Sequence, residues 1–208
     1  MNKPSTTYRV AMAVCRPVVS AWGRLQVEGL EALPAEGPVL LVANHDSHWD
    51  PVAVGIAAIR RRQVKALAKS TLWDVRGLGP VLDGMGQIPI ERGAGDAGAL
   101  SHAIDELRAG ACIGVFPEGT RSRGEVLRPR SGVGRLAQEV PEARLVCVAI
   151  EGTSELTGFP RRPRIRTRFF APAGGQPKPG EDPGELSARL VAEIREHVPP
   201  TLSWRKRG

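Results

Sequence analysis

The stretch Pro38-Val39-Leu40-Leu41-Val42-Ala43-Asn44-His45-Asp46-Ser47-His48-Trp49-Asp50-Pro51 changes character twice. Pro38 to Ala43 is an unbroken apolar run of strand length, which predicts a strand covered on both faces. Asn44 to Asp50 is polar and predicts a turn. A helix is expected from about Pro51 to Ile59, since proline is favoured in a first helical turn. Arg60, Arg61 and Arg62 then fall at its carbonyl end, where cations suit the helix dipole. Strand, polar turn and helix together are the repeating unit of an α/β fold.

The same alternation runs outward in both directions. Val64–Ala68, Ala111–Phe116 and Arg144–Glu151 read as further strands, Gly86–Arg92 and Arg164–Phe169 alternate as strands do, and Arg24–Gly29 adds one more. Ala97–Ala109, Gly132–Val140 and Glu185–Val198 read as helices, whereas Trp73–Met85 is broken by Gly77, Gly79 and Pro80. A single α/β domain is predicted. In such folds ligands sit beyond the carboxyl ends of strands, which directs attention to Asn44–Asp50 and Phe116–Arg123.

With 208 residues the chain suits one domain with a sizeable core. Its net charge of +7 favours an anionic partner: nucleic acid, an anionic lipid surface or a phosphorylated substrate. Aromatics make up only 4% and form no stacking pattern, so a nucleic-acid partner is not expected. Three well-separated cysteines, Cys15, Cys112 and Cys147, lack zinc spacing and read as buried thiols in a reducing compartment. Tyr8 to Trp22 is apolar but interrupted by Arg16, Pro17 and Ser20. That is short of the ~20 apolar residues that span a bilayer, and no small-residue cleavage site follows. Residues 1–23 are therefore expected to form a helix packed on the core or lying at a membrane interface, and residues 24–208 the main domain. The expected location is peripheral, on the cytoplasmic side of the cell membrane.

His45 leaves a strand and Asp50 follows five residues later at a helix start. A turn can bring that carboxylate to one imidazole nitrogen and leave the other free to accept a proton, which is base plus orienter without a protein nucleophile. Other readings remain open here. The two could be turn and capping residues, His45, Asp46, His48 and Asp50 could crowd around a metal, or Ser47 could be a nucleophile, although it lacks a glycine-flanked elbow. After the strand ending at Phe116, Gly119 sits beside Arg121 and Arg123. Glycine permits close backbone approach, and an arginine fork matches phosphate oxygens. Arg92 ends the Gly86–Arg92 segment.

Taken together, these segments resemble the lysophospholipid acyltransferase superfamily, which contains the bacterial 1-acyl-glycerol-3-phosphate acyltransferases. Asn44-His45-Asp46-Ser47-His48-Trp49-Asp50 fits its NHxSxxD block. Gly86-Gln87-Ile88-Pro89-Ile90-Glu91-Arg92 fits the GxIxIxR block, and Phe116-Pro117-Glu118-Gly119-Thr120-Arg121 the FPEGTR block. Val146–Gly152 occupies the fourth, with Cys147 where the family often has proline; His48 and Trp49 fill positions that vary.

The resemblance implies an α/β sandwich around a mixed, largely parallel sheet. It implies His45 as general base, Asp50 as its orienter, Arg92 and Arg121 as holders of the acceptor phosphate, and Glu118, Gly119 and Thr120 as lining of the same site. The implied reaction moves an acyl group from acyl-CoA or acyl-ACP to the hydroxyl of a lysophospholipid, with no metal and no cofactor beyond that co-substrate. A member of the superfamily with another acceptor, or a basic lipid-binding protein without turnover, would share the charge and the fold; the intact His45/Asp50 pair argues against the second.

Arg164, Arg166 and Arg168 alternate with Ile165, Thr167 and Phe169, so a strand there would put the three arginines on one face, with Arg161 and Arg162 just before it. Either a solvated sheet edge or an anionic-lipid docking surface is expected.

Overall fold

The apolar run at Val39–Ala43 forms β2, and all five of its residues are buried. It lies between β5 (Cys112–Val115) and β6 (Arg144–Glu151), parallel to both. Continuous apolar runs rather than alternating ones are what a strand covered on both faces requires. The structure, a computed structural model, describes residues 3–91, 96–158, 160, 162–198 and 200. Arg92 and Arg161 lie outside the described residues.

Beyond β5 come β3 (Lys65–Lys69) and β4 (Ile88–Ile90), again parallel. Beyond β6 comes β7 (Arg166–Phe170), antiparallel to it, and β1 (Gln26–Glu28) pairs parallel with β7 at the edge. Among the described residues the sheet order is β1-β7-β6-β2-β5-β3-β4, mixed and largely parallel as expected.

The arginine-bearing strand is therefore not an edge. Pairing with β1 sets Arg166 and Arg168 beside Glu28: Arg168 Nε lies 2.8 Å and Arg166 Nε 3.3 Å from its carboxylate. Arg166 also reaches Glu151 at 3.7 Å, while Arg164 precedes the strand and is exposed. The expected face of free cations is a ladder of ion pairs. Strand neighbours distant in sequence decide this, and a local pattern does not reveal them.

Alternation along the strands sorts the core into two layers. Leu40, Val42, Ile113, Val115, Leu145 and Cys147 face α4 (Ala97–Arg108), α5 (Gly132–Glu139) and α6 (Pro183–His197). Val39, Leu41, Ala43, Cys112, Val146 and Val148 face α2 (Asp50–Ala58). A third cluster lies behind α2, where Tyr8 and Met12 of α1 (Thr6–Arg16) and Val19 pack against Ala53 and Ile56. Helix α2 is thus covered on both sides, which explains why its sequence is apolar all round. Gly55 makes the approach of α1 possible. A Cβ there would sit 2.7 Å from Met12 Sδ and 2.9 Å from the Tyr8 hydroxyl.

Pro17 does not end the N-terminal helix. The chain widens into a π-helical segment, Pro17–Trp22, closed by the Gly23 amide donating to the Val18 carbonyl at 2.9 Å. Proline has no amide to donate, and a wider turn accommodates the missing rung. In the glycine-broken stretch, α3 (Leu78–Gly84) begins after Gly77, whose φ is +80°, with Pro80 in its first turn. Cys112 and Cys147 are buried, and burial pushes both thiols up to about 12. Cys15 departs from the expectation of three buried thiols, being only half-buried.

Candidate active site

Strand β2 ends where its pairing is taken over by a side chain. Asn44 Nδ2 donates to the Ile150 carbonyl at 2.8 Å, and the Ile150 amide donates to Asn44 Oδ1 at 2.7 Å. The amide group completes a rung to β6, so the main chain is free to turn away at His45. Asp50, the first residue of α2, closes that turn. Its Oδ2 accepts from the amides of Asp46 and Ser47, each at 2.7 Å, and lies 2.9 Å from His45 Nδ1. Its Oδ1 accepts from the Thr153 hydroxyl. The carboxylate is fully buried and is hydrogen-bonded at both oxygens, which is the condition for keeping such a group inside a protein.

This geometry assigns the imidazole tautomer. A carboxylate facing Nδ1 requires the proton there, so Nε2 carries the free lone pair. The His45 ring, 6% exposed, lies against the Phe116 ring with centroids 4.5 Å apart and planes tilted by 32°.

The loop after β5 is stitched to this turn. Glu118 is buried; its Oε2 accepts the His45 amide at 2.8 Å, and its Oε1 accepts from Arg195 Nε at 2.8 Å and Nη2 at 2.5 Å. The same guanidinium grips Asp46, with Nη1 to Oδ2 and Nη2 to Oδ1 both at 2.9 Å. Ser122 donates its hydroxyl to Asp46 and its amide to the His45 carbonyl, the latter at 2.8 Å. Burial raises the Glu118 carboxyl above the ordinary range, although the Arg195 charge pulls it back. For Arg195, burial works against the cation, but Asp46 and Glu118 outweigh it and the guanidinium holds its proton more tightly than usual.

Gly119 follows with φ +68°, the left-handed region glycine tolerates, and a Cβ there would meet Arg130 Nε at 2.6 Å. Thr120 is exposed. Arg121 is half-buried and makes no ion pair or hydrogen bond with a described residue. Two cavities meet at Leu67, Val115 and Phe116. One, of about 330 Å³, lies on the α2 side of the sheet and is lined by His45, Leu41, Gly114, Met12, Leu72 and Leu82. The larger, of about 520 Å³, lies on the opposite side, with Gly119, Arg130 and Arg135 in its wall. The smaller is the one that reaches the imidazole.

His45 and Asp50 are thus in contact, and Glu118, Gly119, Thr120 and Arg121 lie on the adjoining loop. Glu118 differs from an open ligand-lining residue in that both its oxygens are bonded to protein. Asp46 is engaged by Arg195 and Ser122, and among the described residues no group of three or more His, Cys, Asp or Glu side chains is placed to hold a metal ion. The Ser47 hydroxyl donates to the Thr153 carbonyl at 3.2 Å. Three contributors escaped the sequence reading: Asn44 as a rung, Thr153 and Arg195. Thr153 directly follows the fourth block, a weak signal; Arg195 had none, being one more polar residue of an amphipathic helix.

A family model described as acyltransferase matches residues 24–151, and the chain belongs to that family. It is 27% identical over 147 residues to a 1-acyl-sn-glycerol-3-phosphate acyltransferase of Bacillus subtilis (strain 168), covering 71% of this chain and 72% of that one. A protein of the same description from Streptococcus pneumoniae is 29% identical over 169 residues, which are 79% of this chain and 62% of its own length. Among solved structures, the 1-acyl-sn-glycerophosphate (LPA) acyltransferase PlsC from Thermotoga maritima superposes with a TM-score of 0.68 at 23% identity, covering 91% of this chain and 80% of that one. At that identity the superposition speaks to the fold, a single α/β domain.

Proposed function

We propose that the protein transfers a fatty acyl group from a thioester to the free hydroxyl of 1-acyl-sn-glycerol 3-phosphate, giving phosphatidic acid. The observation that carries this reading is an imidazole tied through Nδ1 to a buried carboxylate in the wall of an apolar cavity. His45 Nε2 takes the proton of the acceptor hydroxyl as its oxygen attacks the thioester carbonyl. Asp50 steadies the imidazolium. The C–S bond breaks, the sulfur leaves, and the imidazolium returns the proton to give a free thiol. An acyl chain fits the apolar cavity, whose about 330 Å³ falls at the lower end of the size range of ligand pockets. Coenzyme A and acyl carrier protein present the same thioester, and no metal or further cofactor is asked of this chemistry.

The acceptor phosphate is assigned to Arg121, supported by its lack of a partner among the described residues, and to Arg92 by resemblance. Thiol release from acyl-CoA and from acyl-ACP, with the product identified by mass spectrometry, is expected only when lysophosphatidic acid is present. Arg121→Ala should weaken use of that acceptor roughly ten- to hundredfold, from about 1.5–3 kcal/mol for one charged hydrogen-bond partner. Thioester saturation should change little. Equal use of the dephosphorylated acceptor would remove the phosphate from the assignment.

We further propose that the protein rests on an anionic membrane surface at the cytoplasmic face. Among the described residues no helix is long and apolar enough to cross a membrane. Val10, Val14 and Val18 follow one another at helical spacing and are 57%, 71% and 37% exposed. Leu72, Val75 and Val81, on the neighbouring segment around α3, are exposed as well, and Leu72 also lines the cavity at His45. An apolar surface that continues into the catalytic cavity suits a substrate drawn from lipid. Arg9 and Arg16 flank the valines and suit anionic headgroups. Val14→Glu should lower binding to anionic vesicles about tenfold, the equivalent of ~1.5 kcal/mol for one valine. Arg166→Gln with Arg168→Gln should leave binding unaltered, because those cations are already paired. The reverse pattern would move the docking face to β7.

A further inference from the structure

We propose that Arg195 is a positioning residue for the catalytic base, acting through Glu118 and Asp46 on the main chain at His45; this rests on the acyl-transfer reading above. The side chain comes from the last turn of α6 and is distant in sequence from both motif loops, yet its fork meets them together. Nε and Nη2 hold Glu118 Oε1, Nη1 and Nη2 hold the two oxygens of Asp46, and Nη1 also lies 3.3 Å from the Val198 carbonyl. Only the other oxygen of Glu118 is left, and it receives the His45 amide. Asp46 is likewise held at both oxygens, and its own amide donates to Asp50. The two amides that flank the base are therefore set from one guanidinium.

Two carboxylates approach each other here in a buried place, where like charges repel strongly and each loses its hydration. One guanidinium between them removes both problems. Its planar array of donors fixes angle as well as distance. A lysine supplies the charge but has no rigid fork to span both groups. Without the guanidinium, Glu118 Oε1 loses both its donors, and the angle at which Oε2 meets the His45 amide is no longer fixed. The imidazole then keeps its bond to Asp50 but loses its fixed aim at the acceptor hydroxyl. A displacement of about 1 Å at a reacting group costs roughly 10²-fold in rate.

The test uses the full chain with Arg195→Met, Arg195→Lys and, as a control on the same helix, Arg189→Met. Arg189 pairs with Glu181 at 2.6 Å, and its bonds involve neither motif loop. Wild-type transfer and its loss in His45→Ala establish the reaction independently. Arg195→Met is expected to lower kcat roughly 10²-fold, with KM for thioester and acceptor nearly unchanged. Arg195→Lys should recover part of that loss. Arg189→Met should lower the melting temperature and leave kcat alone.

Amide hydrogen exchange gives a reading that needs no turnover: the His45 amide should lose protection in Arg195→Met but not in Arg189→Met. A folded Arg195→Met protein with normal kcat, unchanged His45 protection, or an equal kcat loss in Arg189→Met would each overturn the proposal. Should neither Arg195 variant fold, Asp46→Asn decides. It removes one charged arm at nearly constant shape and is expected to lower kcat about tenfold at unchanged KM; normal kcat there would overturn the proposal as well.

Discussion

His45→Ala is expected to lower kcat for acyl transfer by about 10²–10⁴-fold, the usual contribution of a positioned general base. The fold should survive. The ring touches Asp50 and Phe116, but the main chain at this position is held separately, by Glu118 at the amide and Ser122 at the carbonyl. Asp50 Oδ2 keeps two backbone donors after the ring is gone, so no buried charge is stranded. The check is kcat alongside the melting temperature of the purified variant. A folded His45→Ala protein turning over within a few-fold of wild type would sink the mechanism.

Asp50→Asn should be nearly as severe, roughly 10²–10³-fold in kcat with KM little changed, and for a separable reason. The asparagine oxygen can face the amides of Asp46 and Ser47 and the His45 ring, while its NH₂ turns towards Thr153, whose hydroxyl can accept instead of donate. Shape and most hydrogen bonds are retained; the negative charge is not. The imidazolium formed as the hydroxyl loses its proton then lacks its adjacent counter-charge in a buried site. Kinetics of this variant against both substrates decide the matter. A loss confined to KM would reassign Asp50 to binding.

How far these features were legible in the sequence depended on distance along the chain. Val39–Ala43, Cys112–Val115 and Arg144–Glu151 were plain as apolar runs because their burial on both faces is a local demand. The His45/Asp50 contact was legible because five residues around a turn bring the two together. That β7 lies inside the sheet was not legible, because its partner is β1, some 140 residues earlier. The pattern of arginines is the same whether a glutamate faces them or water does. Arg195 was hidden for the same reason: 149 residues separate it from Asp46, and helix α6 looks amphipathic either way. The helix expected across Pro17 is present, but its widening to π geometry from Pro17 to Trp22 is a detail the apolar pattern does not carry.

Helix α2 is buried from Ala53 to Ala58. The sheet covers one flank, and Tyr8 and Met12 press into the notch at Gly55 on the other, five residues along from Asp50. A force applied to the outer valines of α1 is therefore handed, through two side chains, to the helix whose first residue aims the imidazole. If the valine face is the one that docks on lipid, a substitution that loosens Tyr8 or Met12 from Gly55 should disturb both the docking helix and the helix that carries Asp50.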